Sequence, residues 1–193
     1  KMDVVNMSLS TSPKKKPVDD RHCGKRAHDD FQKGVCRVVK DGITVVVAAG
    51  NDHANAQRVK PAAYRQVIAV SALSDSDGTP ADDRFAGFSN YGKPIDMAAP
   101  GDNILSLYPA PLSSSLLETL SGTSMAAPHV SGAAALIIAS AGGSMTPAAV
   151  KTALRDHRER IKLRKDPDKR DEGVVNANDA PPWGQSGQAR KSR

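Results

Sequence analysis

A serine flanked by small residues stands at the head of the apolar stretch SGTSMAAPHVSGAAALIIAS, residues 121–140. This serine, Ser124, is a candidate nucleophile, because the start of a helix offers free N–H groups that favour negative charge. A serine hydroxyl attacks a carbonyl carbon only when a base takes its proton and hydrogen-bond donors stabilise the oxyanion. Serine is also common as the N-cap residue of a helix, and capping preferences alone favour that structural role. Both alternatives stand for Ser124 on local sequence alone.

The neighbours of Ser124 exclude two familiar arrangements. The G-x-S-x-G elbow of α/β-hydrolases does not fit, because Ala126 stands where the second glycine is required. His129 follows Ser124 by five residues, which on a helix places it about 140° around the axis. We therefore expect His129 to pack in the core or on the helix flank rather than to act as the base.

The surrounding sequence predicts an α/β domain with a mostly parallel sheet. The β-branched run ITVVVAAG (43–50) is typical of a strand buried on both faces. Functional loops of such sheets gather at the carboxyl ends of the strands, where Ser10, Asn51 and the turn before Ser124 fall. The predicted strands span 3–10, 43–50, 67–73, 95–101 and 103–109, and the predicted helices span 27–42, 121–140 and 146–157.

Composition narrows the class of protein. The 193 residues suffice for one domain, and no apolar run reaches the roughly 18 residues of a membrane span. Of the net charge of +6, residues 155–193 contribute +4 (11 Lys/Arg against 7 Asp/Glu) and residues 11–33 contribute +3 (7 against 4), while the remaining residues sum to −1. Neither segment forms a basic helix face with interleaved aromatic residues, so we expect no nucleic-acid partner and no membrane partner. Cys23 and Cys36 lie outside any CxxC pair and are either bridged or free.

A family resemblance decides between the alternatives for Ser124. GTSMAAPHVSGAAAL resembles the nucleophile segment of subtilisin-like serine proteases, whose pattern is G-T-S-M-[AS]-x-P-H-V-[AS]-G. VVNMSLS is similar to the family's substrate-binding strand and VVVAAGN to its oxyanion-hole segment, and FSNYG, IDMAAPG and EGVVNA follow in the family's order. The resemblance implies the family's three-layer α/β fold over residues 1–180. Residues 181–193 lack apolar content and are expected to form a disordered basic tail.

The resemblance implies a catalytic role for two residues. Ser124 is the nucleophile that becomes acylated, and its own backbone N–H is one oxyanion donor. The side-chain amide of Asn51 is the second donor. No cofactor is expected for this chemistry.

The resemblance also implies a peptide-binding groove. An extended peptide substrate is expected to lie between two short segments, whose residues are Ser8, Leu9, Ser10, Ala48, Ala49 and Gly50. Val59 resembles the floor of the pocket for the residue before the scissile bond, which favours medium-sized apolar residues. The family usually has glycine at the position of Ser10, so the pocket rim is expected to differ here.

The base and the carboxylate of a catalytic triad are not identified in this sequence. In the family both precede the strand that VVNMSLS resembles, and the sequence begins at Lys1, past both. None of the histidines lies in the family's G-H-G-T-H motif; they are His22, His28, His53, His129 and His157. We therefore expect the C-terminal portion of a protease domain, inactive alone, whose partner is the N-terminal remainder of that domain.

Two other functions remain open at this point. A non-catalytic relative would keep the groove as a peptide-binding module, and a basic structural or nucleic-acid-associated protein would show salt-dependent DNA binding. The sequence upstream of Lys1 separates the first of these from a protease, because it either encodes the triad base and carboxylate or does not.

Three further expectations rest on the resemblance. A calcium ion is expected between the carbonyl groups of Arg65 and Val67 and the side chain of Asp96, although a solvated carboxylate is an equal alternative for Asp96. Lys60-Pro61 is expected to be a cis peptide bond. Most members of the family are secreted, so an extracellular location and a Cys23–Cys36 disulfide are expected as well.

Overall fold

A computed structural model describes residues 2–18, 23, 29–75, 83–109, 112 and 115–177. The strands are β1 (Val4–Met7), β2 (Thr44–Ala48), β3 (Ile68–Ser74), β4 (Arg84–Phe85), β5 (Ile95–Pro100), β6 (Ile104–Leu107) and β7 (Leu117–Leu120). The helices are α1 (Asp30–Lys40), α2 (Thr123–Ser140) and α3 (Pro147–His157), and a 3-10 turn spans Ala56–Arg58. The predicted tail, residues 181–193, lies outside the described residues.

The central sheet is mostly parallel, as the sequence predicts. Strands β1, β2, β3 and β5 pair in parallel in that order, and the two-residue β4 adds an antiparallel pair to the end of β3. Strand β1 pairs with β2 on one side and forms an edge of the sheet among the described residues. All five residues of β2 are buried, because helices cover both faces of the sheet.

Alternate side chains of β2 enter two separate cores. Val45 and Val47 pack with Val35 of α1 on one face, whereas Val46 and Ala48 pack under α2 and α3 on the other face. This alternation follows from the two-residue period of a strand. The result is a helix–sheet–helix sandwich, which confirms the predicted three layers.

Local signals set the ends of the helices. Thr146 caps α3 by accepting a hydrogen bond from the Ala149 N–H, and Pro147 occupies the first helical position, as predicted. Gly42 follows α1 with φ +83°, a conformation that glycine adopts without steric cost. Among the described residues, no helix combines the length and apolar character that crossing a bilayer requires.

Several predictions made from the sequence can be compared with the structure. The Lys60-Pro61 bond is cis and Cys23 is bonded to Cys36, so both predictions are confirmed. The segment after α3 returns to the sheet, where the Val175 N–H donates to Ala98 O, and Val174 exchanges two backbone hydrogen bonds with Glu159. Strands β4 and β7 are not among the strands predicted from the sequence; β7 pairs with β6 in an exposed antiparallel hairpin.

Candidate functional site

Ser124 is the second residue of α2, and the N-cap position belongs to Gly122. Gly122 has no side chain, and no side-chain hydrogen bond caps the helix. The interpretation of Ser124 as the helix cap is therefore wrong. Its side chain is partly exposed at the positive end of a helix, which favours a developing negative charge nearby.

The loop after β2 is fastened to the start of α2 by three hydrogen bonds. The Thr123 N–H and hydroxyl both donate to Oδ1 of Asn51, at 2.9 and 2.8 Å, and the Gly50 N–H donates to the Thr123 hydroxyl at 3.0 Å. Because the carbonyl oxygen of the Asn51 amide is held by Thr123, its Nδ2 group is directed away from Thr123. Thr123 is fully buried, so its bond with the Gly50 N–H is shielded from water, whereas the Asn51 end of the clamp is partly exposed.

Two N–H donors flank one small space beside Gly122. A Cβ atom built on Gly122 would lie 3.3 Å from Nδ2 of Asn51 and 3.7 Å from the backbone nitrogen of Ser124. A side chain at residue 122 would therefore fill the space between the donors. The paired donors can stabilise an oxyanion there, which is the chemistry that the sequence predicts for Asn51 and Ser124.

Asn90 holds the loop that carries Asn51, a role that the sequence analysis did not identify. Its buried amide donates to Ala49 O at 2.9 Å and accepts from the N–H groups of Asp52 and Ala54 at 3.0 and 2.8 Å. These contacts lie on both sides of Asn51 in sequence. The FSNYG segment quoted above contains this residue, but only the fold reveals its contact with a loop about 40 residues away.

The end of β1 is bonded directly to the candidate nucleophile. Pro128 lacks the N–H that would bond Ser124 O four residues earlier in the helix. The Ser8 hydroxyl makes that bond instead, at 2.8 Å, and the Ser124 hydroxyl points back to Ser8 O at 3.3 Å. The proline thus frees a carbonyl group that ties β1 to α2.

The two predicted substrate-binding segments lie side by side. The Ser10 hydroxyl lies 3.2 Å from the position of a Cβ atom on Gly50, which has φ +97°. Thr11 exchanges two hydrogen bonds with Lys60, at 2.9 and 3.1 Å, which closes one end of the space between the segments. The predicted residues of this group are Ser8, Leu9 and Ser10, which are exposed, and Ala48, Ala49, Gly50 and Val59, which are buried. The structure thus brings the predicted groove residues together.

The turn before the nucleophile is anchored by Asp102, another residue that the sequence analysis missed. The hydroxyls of Ser121 and Ser74 each donate to the Asp102 carboxylate at 2.7 Å, and these bonds hold its pKa below the usual range. Gly122 N also donates to Gly101 O at 2.7 Å. The backbone on both sides of Gly122 is therefore fixed.

His129 does not serve as a core residue. Its exposed ring lies on the flank of α2, where Nδ1 contacts Met125 O at 2.9 Å. A cavity of about 420 Å³ lies between this flank and the β6–β7 hairpin, and Ser124 opens onto it. His53 is turned elsewhere and packs edge-on against Tyr91.

The oxygens predicted to bind calcium surround a lysine. Lys151 of α3 places its Nζ atom 2.8 Å from Val67 O, 2.8 Å from Oδ2 of Asp96 and 3.4 Å from Arg65 O. The three predicted ligands therefore converge as expected. Calcium binding itself stays a prediction.

An acidic cluster lies in the loop after α3. Carboxylate oxygens of Asp166, Asp168 and Glu172 all lie within 4.8 Å of one another. Burial, together with the charges of Asp166 and Asp168, raises the pKa of Glu172 to about 7. Burial also raises the pKa of Asp166. The cluster thus carries unfavourable negative charge at neutral pH.

Comparison with known proteins shows that this chain is similar to subtilisin-like proteases. The sequence model of the protein family described as the Subtilase family matches residues 1–178 of the chain. The chain is 37% identical over 157 residues to an extracellular protease of Xanthomonas campestris, covering 80% of this chain and 24% of the relative. It is 48% identical over 112 residues to subtilisin-like protease 2 of Pseudogymnoascus destructans, covering 58% and 26%.

Solved structures match nearly all of the chain. A protease from Pseudoalteromonas arctica superposes with a TM-score of 0.66 and 31% identity, covering 91% of this chain and 49% of the other. A cold-adapted subtilisin-like serine proteinase superposes with a TM-score of 0.64 and 28% identity, covering 90% and 52%. The chain therefore spans about half of these structures and about a quarter of the curated relatives.

The Thr123 clamp predicts a loss of stability in a specific variant. Thr123→Val leaves the buried Gly50 N–H without its acceptor and should lower the free energy of unfolding by roughly 1–3 kcal/mol. Thr123→Ser keeps the hydroxyl and should lose much less. Urea unfolding of both variants checks this, and a Thr123→Val protein as stable as the unaltered one would show that the hydroxyl contacts do not stabilise the fold.

The acidic cluster predicts a pH dependence of stability. The pKa of Glu172 is about 7 in the folded chain and near 4.5 when unfolded, so the folded state binds the extra proton between these values. Stability should therefore fall as pH rises from about 5 to about 8, by roughly 1–2 kcal/mol for this partly screened site. Glu172→Gln should remove this fall, measured by urea unfolding in chelator at several pH values. An unchanged pH profile in Glu172→Gln would contradict the assignment.

Proposed function

Because the chain belongs to the subtilase family, we propose that it is the nucleophile-bearing part of a serine endopeptidase. One observation carries this proposal: Asn51 Nδ2 and the backbone nitrogen of Ser124 flank a single space beside Gly122, two residues before the candidate nucleophile. A nucleophile next to two preorganised donors suits acyl transfer at a peptide carbonyl. No catalytic cofactor enters the proposed reaction.

The substrate is a polypeptide that lies extended between Ser8–Ser10 and Ala48–Gly50. Backbone hydrogen bonds to the two segments would hold it as an added strand. Val59 is fully buried in the same core cluster as Ala49, and the Ser10 hydroxyl lies 3.2 Å from the position of a Cβ atom on Gly50. We expect a small or medium-sized apolar residue before the scissile bond, since Ser10 narrows the rim of its pocket.

The proposed reaction has two acyl-transfer steps. A base removes the Ser124 proton as Oγ attacks the carbonyl carbon, and the negative oxygen accepts hydrogen bonds from Asn51 Nδ2 and Ser124 N. The base then gives the proton to the leaving amine, and an ester to Ser124 forms. Water, deprotonated by the same base, cleaves this ester and restores the Ser124 hydroxyl.

The base and its orienting carboxylate are proposed to come from an N-terminal segment of the whole protein. The chain spans about half the length of the solved relatives, which leaves room for such a segment. Strand β1 forms an edge of the sheet among the described residues. Helix α2 is apolar all round, a character typical of a helix buried on every side, yet Leu136 is 51% exposed. A segment that covers β1 and this side of α2 would complete both the core and the site.

An extracellular location is part of the proposal. A disulfide persists in oxidising compartments, and the chain has one between Cys23 and Cys36. A relative that covers 80% of the chain is named an extracellular protease. Both observations support secretion of the whole protein.

Peptide hydrolysis by the whole protein tests the proposed function. Ser124→Ala should reduce kcat by ~10⁶-fold, a magnitude measured on subtilisin itself. Ser140→Ala, at the far end of the same helix, should retain full activity. The 193-residue chain without its remainder should hydrolyse no peptide, because nothing in it is proposed to take the Ser124 proton.

Two results would contradict the proposal. Hydrolysis that survives Ser124→Ala would place the nucleophile elsewhere. A whole protein that binds extended peptides through the groove but never cleaves them would be a peptide-binding module instead.

A further inference from the structure

A lysine side chain occupies the centre of a site whose ligands are typical of a metal ion. The carbonyl oxygens of Arg65 and Val67 and a carboxylate oxygen of Asp96 all face Nζ of Lys151, at 3.4, 2.8 and 2.8 Å. We propose that the Lys151 ammonium group is the resident cation of this site and makes it independent of calcium. This inference concerns stability and goes beyond the proposed catalytic function.

The three oxygens would otherwise suit a divalent cation. They are hard donors, two neutral and one charged, and they come from the segment before β3 and from β5. Asp96 is 7% exposed, and its Oδ2 atom also accepts a hydrogen bond from the Ala69 N–H at 3.1 Å. A carboxylate this buried requires a positive partner, because an unpaired buried charge is costly.

Lys151 supplies that partner from a third element. Its side chain reaches from α3 and is 21% exposed, so the charge is largely withdrawn from water. An ammonium group has three donors, which matches the three oxygens around it. Arg155, one turn further along α3, lies 4.0 Å from the other Asp96 oxygen. Where α3 packs against the sheet, side chains of α3 itself therefore supply the positive charge that faces Asp96.

A calcium ion does not fit beside this ammonium group. Calcium lies 2.3–2.6 Å from its oxygen ligands, so an ion bound to Val67 O and Asp96 would occupy the space that Nζ fills. The adjoining cavity of about 440 Å³ is lined by the cations Arg65, Lys93, Lys151 and Arg155 and by one acid, Asp96. This surplus of positive charge would oppose the entry of a divalent cation.

Thermal unfolding of the whole protein, in calcium and in chelator, tests the inference. Lys151→Ala should lower the unfolding midpoint in chelator by roughly 3–6 °C, and calcium should restore part of that loss. Lys93→Ala, a lysine of the same cavity, should unfold like the unaltered protein in both conditions. Asp96→Asn should remove the calcium rescue from the Lys151→Ala background.

The outcome that overturns the inference is equally specific. If calcium raises the midpoint of the unaltered protein and Asp96→Asn abolishes that rise, the ion displaces the lysine and calcium is the resident cation. A Lys151→Ala protein that loses stability without any calcium rescue would make the contact an ordinary ion pair, and the inference would fall.

A second measurement needs no variant to fold. The rate at which an acetylating reagent modifies Lys151, followed by mass spectrometry with Lys93 as the internal reference, reports whether the ammonium group is engaged. We expect slower modification of Lys151 than of Lys93, with the same ratio in calcium and in chelator. A rise of several-fold in Lys151 modification on adding calcium would overturn the inference.

Discussion

The contact between Asn51 and Thr123 is the constraint on which the rest of the site depends. One amide oxygen accepts both the N–H and the hydroxyl of Thr123, and the same hydroxyl accepts the Gly50 N–H. This ties the carboxyl end of β2 to the first turn of α2. Since the amide oxygen is engaged, the amide nitrogen lies beside Gly122, 3.3 Å from the position that a Cβ atom would take. The geometry of the two oxyanion donors follows from this clamp.

The scaffold around the clamp is dense on one side and open on the other. Polar contacts from Asn90, Asp102 and Ser8 fix the loop after β2, the turn before α2 and the end of β1. The flank of α2 that carries His129 and Leu136 is exposed instead. This asymmetry is consistent with the proposal that the chain supplies the nucleophile and the oxyanion donors while another segment supplies the base. The two N–H donors are held in place by contacts within this chain. Removal of the Ser124 proton, in contrast, requires a base that another segment is proposed to supply.

The sequence predicts this fold well where the signal is local. The β-branched run of β2, the Thr146–Pro147 helix start and the nucleophile motif each depend on neighbouring residues, and all are found where predicted. Strand β7 was not predicted, because its four residues are all exposed and show no alternation between polar and apolar faces. The contacts of Asn90 and Lys151 were not predicted, because their hydrogen-bond partners lie about 40 and 84 residues away in sequence. Such contacts are set by the packing of whole elements, which no local pattern encodes.

Mass spectrometry of the whole protein after treatment with a fluorophosphonate tests the central claim most directly. An activated serine displaces fluoride from the reagent and becomes phosphonylated, and this stable covalent adduct stands in for the acyl-enzyme. We predict a single phosphonyl group on Ser124 of the whole protein and none on the isolated 193-residue chain, where the described residues offer the hydroxyl Ser8 O as its hydrogen-bond partner. Modification of a different residue in the whole protein, or rapid modification of Ser124 in the isolated chain, would contradict this assignment.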